Sequence, residues 1–209
     1  MSEPATTPLT ADDDGLAVPA RLRDGRTAGL RPLRPGETEA LLAVFDGMSP
    51  ASRALRYLTG LHELPRQMLS VLTDVDGDRH VAWLASVEGQ PVGIARYVRL
   101  PGCPTSAELA LEVTDRLQGR GLGTVLVDAV TTVAAARGVR RVQGTMAPSN
   151  DASRRLLERV GARGGLVEGL LELEGRLRLL DPPAVDRAAV LRLACAPDPA
   201  VTDGWVWTG

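Results

Sequence analysis

Two rhythms of hydrophobic and polar residues alternate along this 209-residue chain. Residues 1–20 carry neither: Pro, Thr and Asp with little to bury predict disorder. Order is expected to begin near Thr27, where TAGLRPLRPGE reads as a short strand stopping at Pro35. Helical spacing follows. GETEALLAVFDGM sets Leu41, Leu42, Val44 and Phe45 on a helix that stops at Gly47. SPASRALRYLTGL has a Ser cap and a Pro at the first helical position, which predicts a second short helix. LPRQMLSVLTDV reads as a third. The period then changes to two. HVAWLASVEGQPVGIARYVRL predicts strands over 80–87 and 91–99, joined by a tight Glu88–Gly89–Gln90 turn. SAELALEVTD is the next strand, with Glu108, Ala110 and Glu112 on one face and Leu109, Leu111 and Val113 on the other.

Helical period returns at Leu122, Val125, Leu126, Ala129, Val130 and Val133, one continuous apolar face ending at Gly138. VRRVQGTMA reads as a strand. PSNDASRRLLERVGA reads as a helix capped by Ser149 or Asn150 and stopped by Gly161. GLVEGLLELEGRLRLL supplies one or two strands before Pro182–Pro183 breaks the pattern. Beyond residue 184 a short helix is expected, and GWVWTG reads as an edge strand. The order gives an α/β fold: a mixed, mostly antiparallel central sheet flanked by helices, with a late strand–helix–strand unit and no internal repeat. The expected partition is a disordered tail at 1–26, one domain at 27–180 and a C-terminal extension at 181–209.

Composition narrows the chemistry. Net charge is −2, and no clustered basic face carries interleaved aromatics, so nucleic acid is not an expected partner. No apolar run approaches the ~20 residues of a membrane span. The polar, acidic start MSEPATTPLTADDDG is the opposite of a signal or transit peptide. Cys103 and Cys195 make no CxxC, and with His62 and His80 the only histidines no metal set has recognisable spacing; no metal is expected. Two lone cysteines fit a reducing cytoplasm. All 24 basic residues are Arg, and Asn150, Ile94 and Phe45 are each the only residue of their type. We read this as a GC-rich coding bias, under which a solitary Asn at a motif position is not filler.

The chemistry-bearing stretch is LQGRGLGTVL. Gly119, Gly121 and Gly123 stand at every second position directly before the long helix. A glycine-rich turn feeding a helix is an anion site, because the first helical N–H groups have no partner inside the helix. A dinucleotide fingerprint requires GxGxxG, and Leu126 stands where its third glycine belongs. A triphosphate loop requires a Lys, and the chain has none. QGRGLG does match Q/R-x-x-G-x-G/A, with Gln118, Gly121 and Gly123 in its fixed positions. Together with the topology around it, this resembles the GNAT superfamily of N-acyltransferases over about residues 27–180, most closely over 106–162.

That resemblance implies a GNAT fold and acetyl-CoA as acyl donor. It implies that N–H groups of Gln118, Gly119, Arg120, Gly121, Leu122 and Gly123, with Thr124, hold the pyrophosphate, and that the pantetheine arm lies along the strand ending at Val113. Arg120 could add a charge-assisted bond. An oxyanion donor is expected among the backbone N–H groups around Leu111–Val113. Asn150, with Ser153 beside it, occupies the position where the superfamily often bonds the pantetheine or acyl region; simple helix capping explains Asn150 equally well.

Transfer to an amine needs a base, because an alkylammonium with a pKa near ~10.4 is almost wholly protonated at neutral pH. Glu108 and Glu112 are the two candidates. AELALEVTDRLQGRGLG, SPASRALRYLTGL and DRHVAWLA are similar to bacterial Pat-type protein lysine acetyltransferases, in which the Glu of AE-x-A is the base; that maps to Glu108. Many members carry a Tyr acid seven residues after the Asn, where this chain has Leu157. Arg56, Tyr57 and His62 come from the early helices, where the superfamily builds its acceptor site. Tyr97 and Trp83 read as packing, and Cys103, in a predicted loop, receives no role. Pat-type proteins can carry a fused regulatory domain; the 26 residues before the first expected strand are too few for one, so a stand-alone catalytic domain is expected. The expected activity is acetyl transfer to a primary amine such as a protein lysine. A small-molecule amine acceptor and a non-catalytic acyl-CoA-binding module stay open, as do the acceptor's identity and the oligomeric state.

Overall fold

The computed structural model describes residues 17–196. Its eight strands are β1 Val18–Arg21, β2 Thr27–Pro32, β3 His80–Val87, β4 Gln90–Leu100, β5 Cys103–Val113, β6 Arg141–Met146, β7 Arg163–Val167 and β8 Leu170–Arg176. They form one sheet in the order β1-β2-β3-β4-β5-β6-β8-β7. The helices are α1 Thr38–Asp46, α2 Pro50–Tyr57, α3 Arg66–Thr73, α4 Leu122–Ala136, α5 Asp151–Arg159 and α6 Arg187–Ala194. The expected mixed sheet is present: every neighbouring pair is antiparallel except β5–β6.

The central strands are covered on both faces. Ala82, Leu84 and Ile94 pack with Leu41, Val44 and Phe45 of α1. Trp83, Ala85, Ala95 and Tyr97 pack in the cluster containing Leu126 and Val130 of α4. Alternate residues of one strand thus feed two cores. The β3–β4 turn places Glu88 (φ 54°) and Gly89 (φ 73°) in the left-handed region, the geometry whose twist matches an antiparallel hairpin. Ser49 caps α2 through the N–H of Ser52, as its sequence requires.

Three boundaries differ from the sequence reading. Order does not wait for Thr27: Val18–Arg21 pair with β2, because Val18, Ala20 and Leu22 find the core on alternate positions of a segment too short to show a period. Cys103 is not in a loop but opens β5, opposite Leu100. The helix α4 is not one-faced, for Asp128, Thr131 and Thr132 are buried too. The segment 180–194 folds back over that second face. Asp128 accepts N–H bonds from Ala184 and Val185 and two from Arg187, at 3.1 and 2.6 Å. The expected C-terminal helix is α6, and its Val190 joins the main core, so it belongs to the same body as the sheet. GWVWTG lies outside the described residues.

One irregularity positions everything that follows. The parallel strands pair only at Ser106↔Arg141, Ala107↔Val142 and Glu108↔Gln143. Beyond Glu108, β5 continues on β4 to Val113 and β6 continues on β8 to Met146. The sheet therefore opens between them like a seam.

Candidate active site

A cleft of about 420 Å³ fills that opening. Its floor is β5 from Glu108 to Val113; its walls are the glycine turn with the start of α4, the start of α5, and α2. Thr114 donates its N–H to Val92 of β4. By strict alternation along the strand, the N–H groups of Leu111 and Val113 point the other way, into the gap. They form an open ladder edge, and both residues line the cleft.

At one end the backbone makes an anion cradle. Gly119 (φ 72°) and Gly121 (φ 92°) adopt the left-handed conformation, which turns the chain sharply into α4. Gly121 is the α4 N-cap and supplies no side-chain bond. Among the described residues, no protein acceptor takes the N–H of Gly119, Arg120, Gly121, Leu122 or Gly123. Five free donors at a helix start, with the helix dipole behind them, attract an anion. Three arginines line the same cleft: Arg23 from the β1–β2 turn, and Arg155 and Arg159 from α5. Arg23 lies directly over the turn, its Cγ 3.3 Å from where a Gly121 Cβ would stand.

The two glutamates of β5 meet different fates. Glu108 is exposed, lines the cleft and has no hydrogen bond or ion pair among the described residues. Glu112 has its side chain fully buried. Its Oε1 accepts from Arg96 Nη2 at 2.9 Å and its Oε2 from Tyr57 Oη at 2.5 Å, with Arg56 Nε 3.7 Å away. Burial alone would push the Glu112 carboxyl up, but Arg56 and Arg96, with both hydrogen bonds, hold it below the usual carboxylate value. A low-pKa carboxylate with both oxygens engaged is poorly poised to take a proton. Burial, and then the Glu112 charge, pushes the Tyr57 hydroxyl far up, so it stays a neutral donor.

The acetyltransferase (GNAT) family model matches residues 51–162, which span α2 to the start of the last hairpin. The chain belongs to this family. The GNAT chain is 32% identical over 147 residues to acetyltransferase Pat of Mycolicibacterium smegmatis, a match covering 69% of this chain and 44% of that protein. It is 33% identical over 148 residues to an acetyltransferase of Pseudomonas aeruginosa, covering 68% of this chain and 78% of the relative. Among solved structures, the GNAT domain of S. lividans PAT superposes with a TM-score of 0.71 at 25% identity, covering 84% of this chain and all of that one.

The remaining GNAT positions sort as follows. Gln118 Nε2 bonds Ser52 Oγ, the Val113 carbonyl and Asp115, so it braces the turn against α2 and β5. Arg120 departs from expectation: it does not line the cleft, because its Nε bonds the Arg116 carbonyl and its Nη1 sits 3.4 Å from Asp24. The Leu122 side chain is fully buried in the core, leaving only its backbone to the cradle. Thr124 lines the cleft and accepts from Arg159 Nη1 at 3.3 Å. Asn150 caps α5 through the N–H of Ser153 and directs Nδ2 towards the Leu55 carbonyl at 3.5 Å. Arg56 lines the cleft, whereas the exposed His62 offers only its carbonyl, to Arg53. Leu157 is core, filling the space left by Gly144, and Tyr97 donates to the Asp78 carbonyl; neither tyrosine lines the cleft. Sequence reasoning missed Arg23, Arg96, Arg155 and Arg159. For Arg155 and Arg159 the signal was available, since both lie one to three turns into the helix that Asn150 caps. Among the described residues no group of three or more His, Cys, Asp or Glu is placed to hold a metal ion, and no helix is long and apolar enough to cross a membrane.

Proposed function

We propose that the protein moves an acetyl group from acetyl-CoA to a primary amine by direct transfer, with Glu108 as the general base. The observation that carries this reading is an uncommitted carboxylate on the same strand, and in the same cleft, as two free N–H groups and an anion cradle. The free N–H groups of Gly119 to Gly123, with Arg23, Arg155 and Arg159, suit the phosphates of the donor. The open edge of β5 suits an amide-containing arm lying as an added strand.

The amine, deprotonated by Glu108 directly or through a water, attacks the thioester carbon. The N–C bond forms as the carbonyl becomes an oxyanion, which the N–H of Leu111 or Val113 stabilises. The C–S bond then breaks and the pair of electrons leaves on sulfur, while the nitrogen, cationic after the attack, gives up its surplus proton to solvent. A thiol with a pKa near ~8.5 is a tolerable leaving group, so the thiolate departs without the Tyr that Leu157 replaces and takes its proton from solvent. The acceptor we propose is a protein lysine, on the resemblance of α2 and β5 to Pat-type enzymes.

Incubation with labelled acetyl-CoA and either a lysate or a panel of small amines tests this directly. Label on protein lysines is expected; label only on small amines overturns the lysine acceptor. Glu108→Gln should leave acetyl-CoA affinity within about twofold while kcat falls ~10²–10⁴-fold. Unchanged turnover removes Glu108 from the mechanism, and acetyl-CoA binding with no transfer to any amine supports a binding module instead.

A further inference from the structure

Helix α2 is an unusual wall for a cleft, because none of its residues is buried. Arg53 ties it to α1 and to the loop after α2, through the Phe45 and His62 carbonyls at 3.1 and 2.9 Å, and four further polar bonds tie it to β5, to the segment leading into the glycine turn, and to the start of α5. Gln118 Nε2 donates to Ser52 Oγ at 3.1 Å, Asn150 Nδ2 reaches the Leu55 carbonyl at 3.5 Å, and the Ser49 N–H, at the cap, reaches Asp115 at 3.3 Å. These three bonds are long or exposed. The fourth is different: Tyr57 donates to the buried Glu112 at 2.5 Å, and Arg56 adds its charge from 3.7 Å.

Glu112 is itself rooted in the body. Arg96 donates to it from Nη2 and to the Leu72 carbonyl of α3 from Nη1 at 2.5 Å. A hydrophobic residue at this position would fill the space without needing two guanidinium partners. It would not, however, hold a helix by its last turn. A buried charge-assisted bond does, because breaking it strands a charge away from water.

We infer that Glu112 is a positioning residue: it latches α2 to β5 through Tyr57 and Arg56, and so sets the wall of the cleft that the acceptor meets. The place of that wall beside the acceptor rests on the transfer reading above; the latch does not. Donor binding, at the cradle and along β5, is expected to be independent of it.

Tyr57→Phe removes the latching hydroxyl and keeps the ring against Phe45, 5.8 Å between centroids, so the variant is expected to fold. Hydrogen exchange followed by mass spectrometry should show amides of residues 51–57 exchanging at least about tenfold faster, with α4 unchanged. With acetyl-CoA and Nα-acetyl-lysine amide as probes, the donor Kd should stay within about twofold, while the acceptor KM rises at least about fivefold and kcat falls less. Glu112→Gln should move the same readouts in the same direction. Unaltered exchange of α2 in both variants overturns the latch. A donor Kd that weakens as much as the acceptor KM also overturns it, because a general loss of structure would do that. If the unaltered protein acetylates no amine, the transfer reading fails, and the exchange result alone still decides the latch.

Discussion

The two long walls of the cleft are made in opposite ways. The glycine turn and α4 present backbone: five free N–H groups, aimed by two left-handed glycines and backed by a helix buried on nearly every side. The α2 wall presents side chains on a helix with no fully buried residue, held by tethers and by Arg53 and Tyr57 against Phe45. A backbone wall is pre-organised and indifferent to most substitutions, which suits a constant ligand. A tethered wall can be retuned one side chain at a time, which suits a ligand that varies between relatives.

Four substitutions or conditions separate the walls. The largest effect is expected from Asp128→Ala, which attacks the backbone wall from behind. It strands Arg187 and two N–H groups at a carboxylate with no exposure, and should cost about 3–5 kcal/mol by denaturant melting. A loss under about 1 kcal/mol would mean that the fold-back segment does not brace α4. Gly121→Val comes next. A β-branched residue at φ 92° is strained, and its Cβ meets Arg23, so acetyl-CoA affinity should drop by roughly 1–3 kcal/mol, about 5- to 150-fold by calorimetry. Intact affinity would refute the backbone cradle.

Asn150→Ala touches the α2 wall together with the start of α5, removing the α5 cap and the bond towards Leu55. It should lower stability by about 0.5–2 kcal/mol and speed exchange in both α2 and the first turn of α5. An effect confined to α5 would show that the 3.5 Å bond tethers nothing. The smallest effect is a response to acid. Glu112 has a folded pKa below the ordinary value of 4.5, so its contribution is complete above that value and is lost as pH falls through the lowered one. Exchange of α2 should therefore accelerate in strong acid before that of α4. Simultaneous loosening of both would place the acid sensitivity elsewhere.

The same division explains what was legible in the chain. The backbone wall could be read because it is local: a run of alternating glycines stands directly before a strong helical period, and the next helix opens on the solitary Asn. The period-two segments around Trp83 and Tyr97 located the meander for the same reason. The tie behind the α2 wall could not be read: Arg56, Tyr57 and Glu112 stand out singly in the sequence, but nothing local shows that they meet one another and Arg96 across up to 56 positions. Alternation gave Glu108 and Glu112 one face but not their burial, which depends on α2 ending above one of them and not the other. Arg23 was lost with β1, whose four residues are too few to carry a period. Asp128 was unreadable as an anchor because its partners lie after a Pro–Pro break that marked the end of the pattern.

The three-residue contact between β5 and β6 has a thermodynamic side. Five strands lie on one side of it and three on the other, so the unliganded protein carries a sheet with an unfinished join. A donor lying along β5 would act as a ninth strand supplied in trans, and its binding energy would be added to the cohesion of the whole sheet. Resistance to heat should then follow donor supply, with about 2.7 kcal/mol added at a hundred times Kd. In a cell, the lifetime of such a protein would register how much acyl donor surrounds it, whether or not an acceptor is at hand.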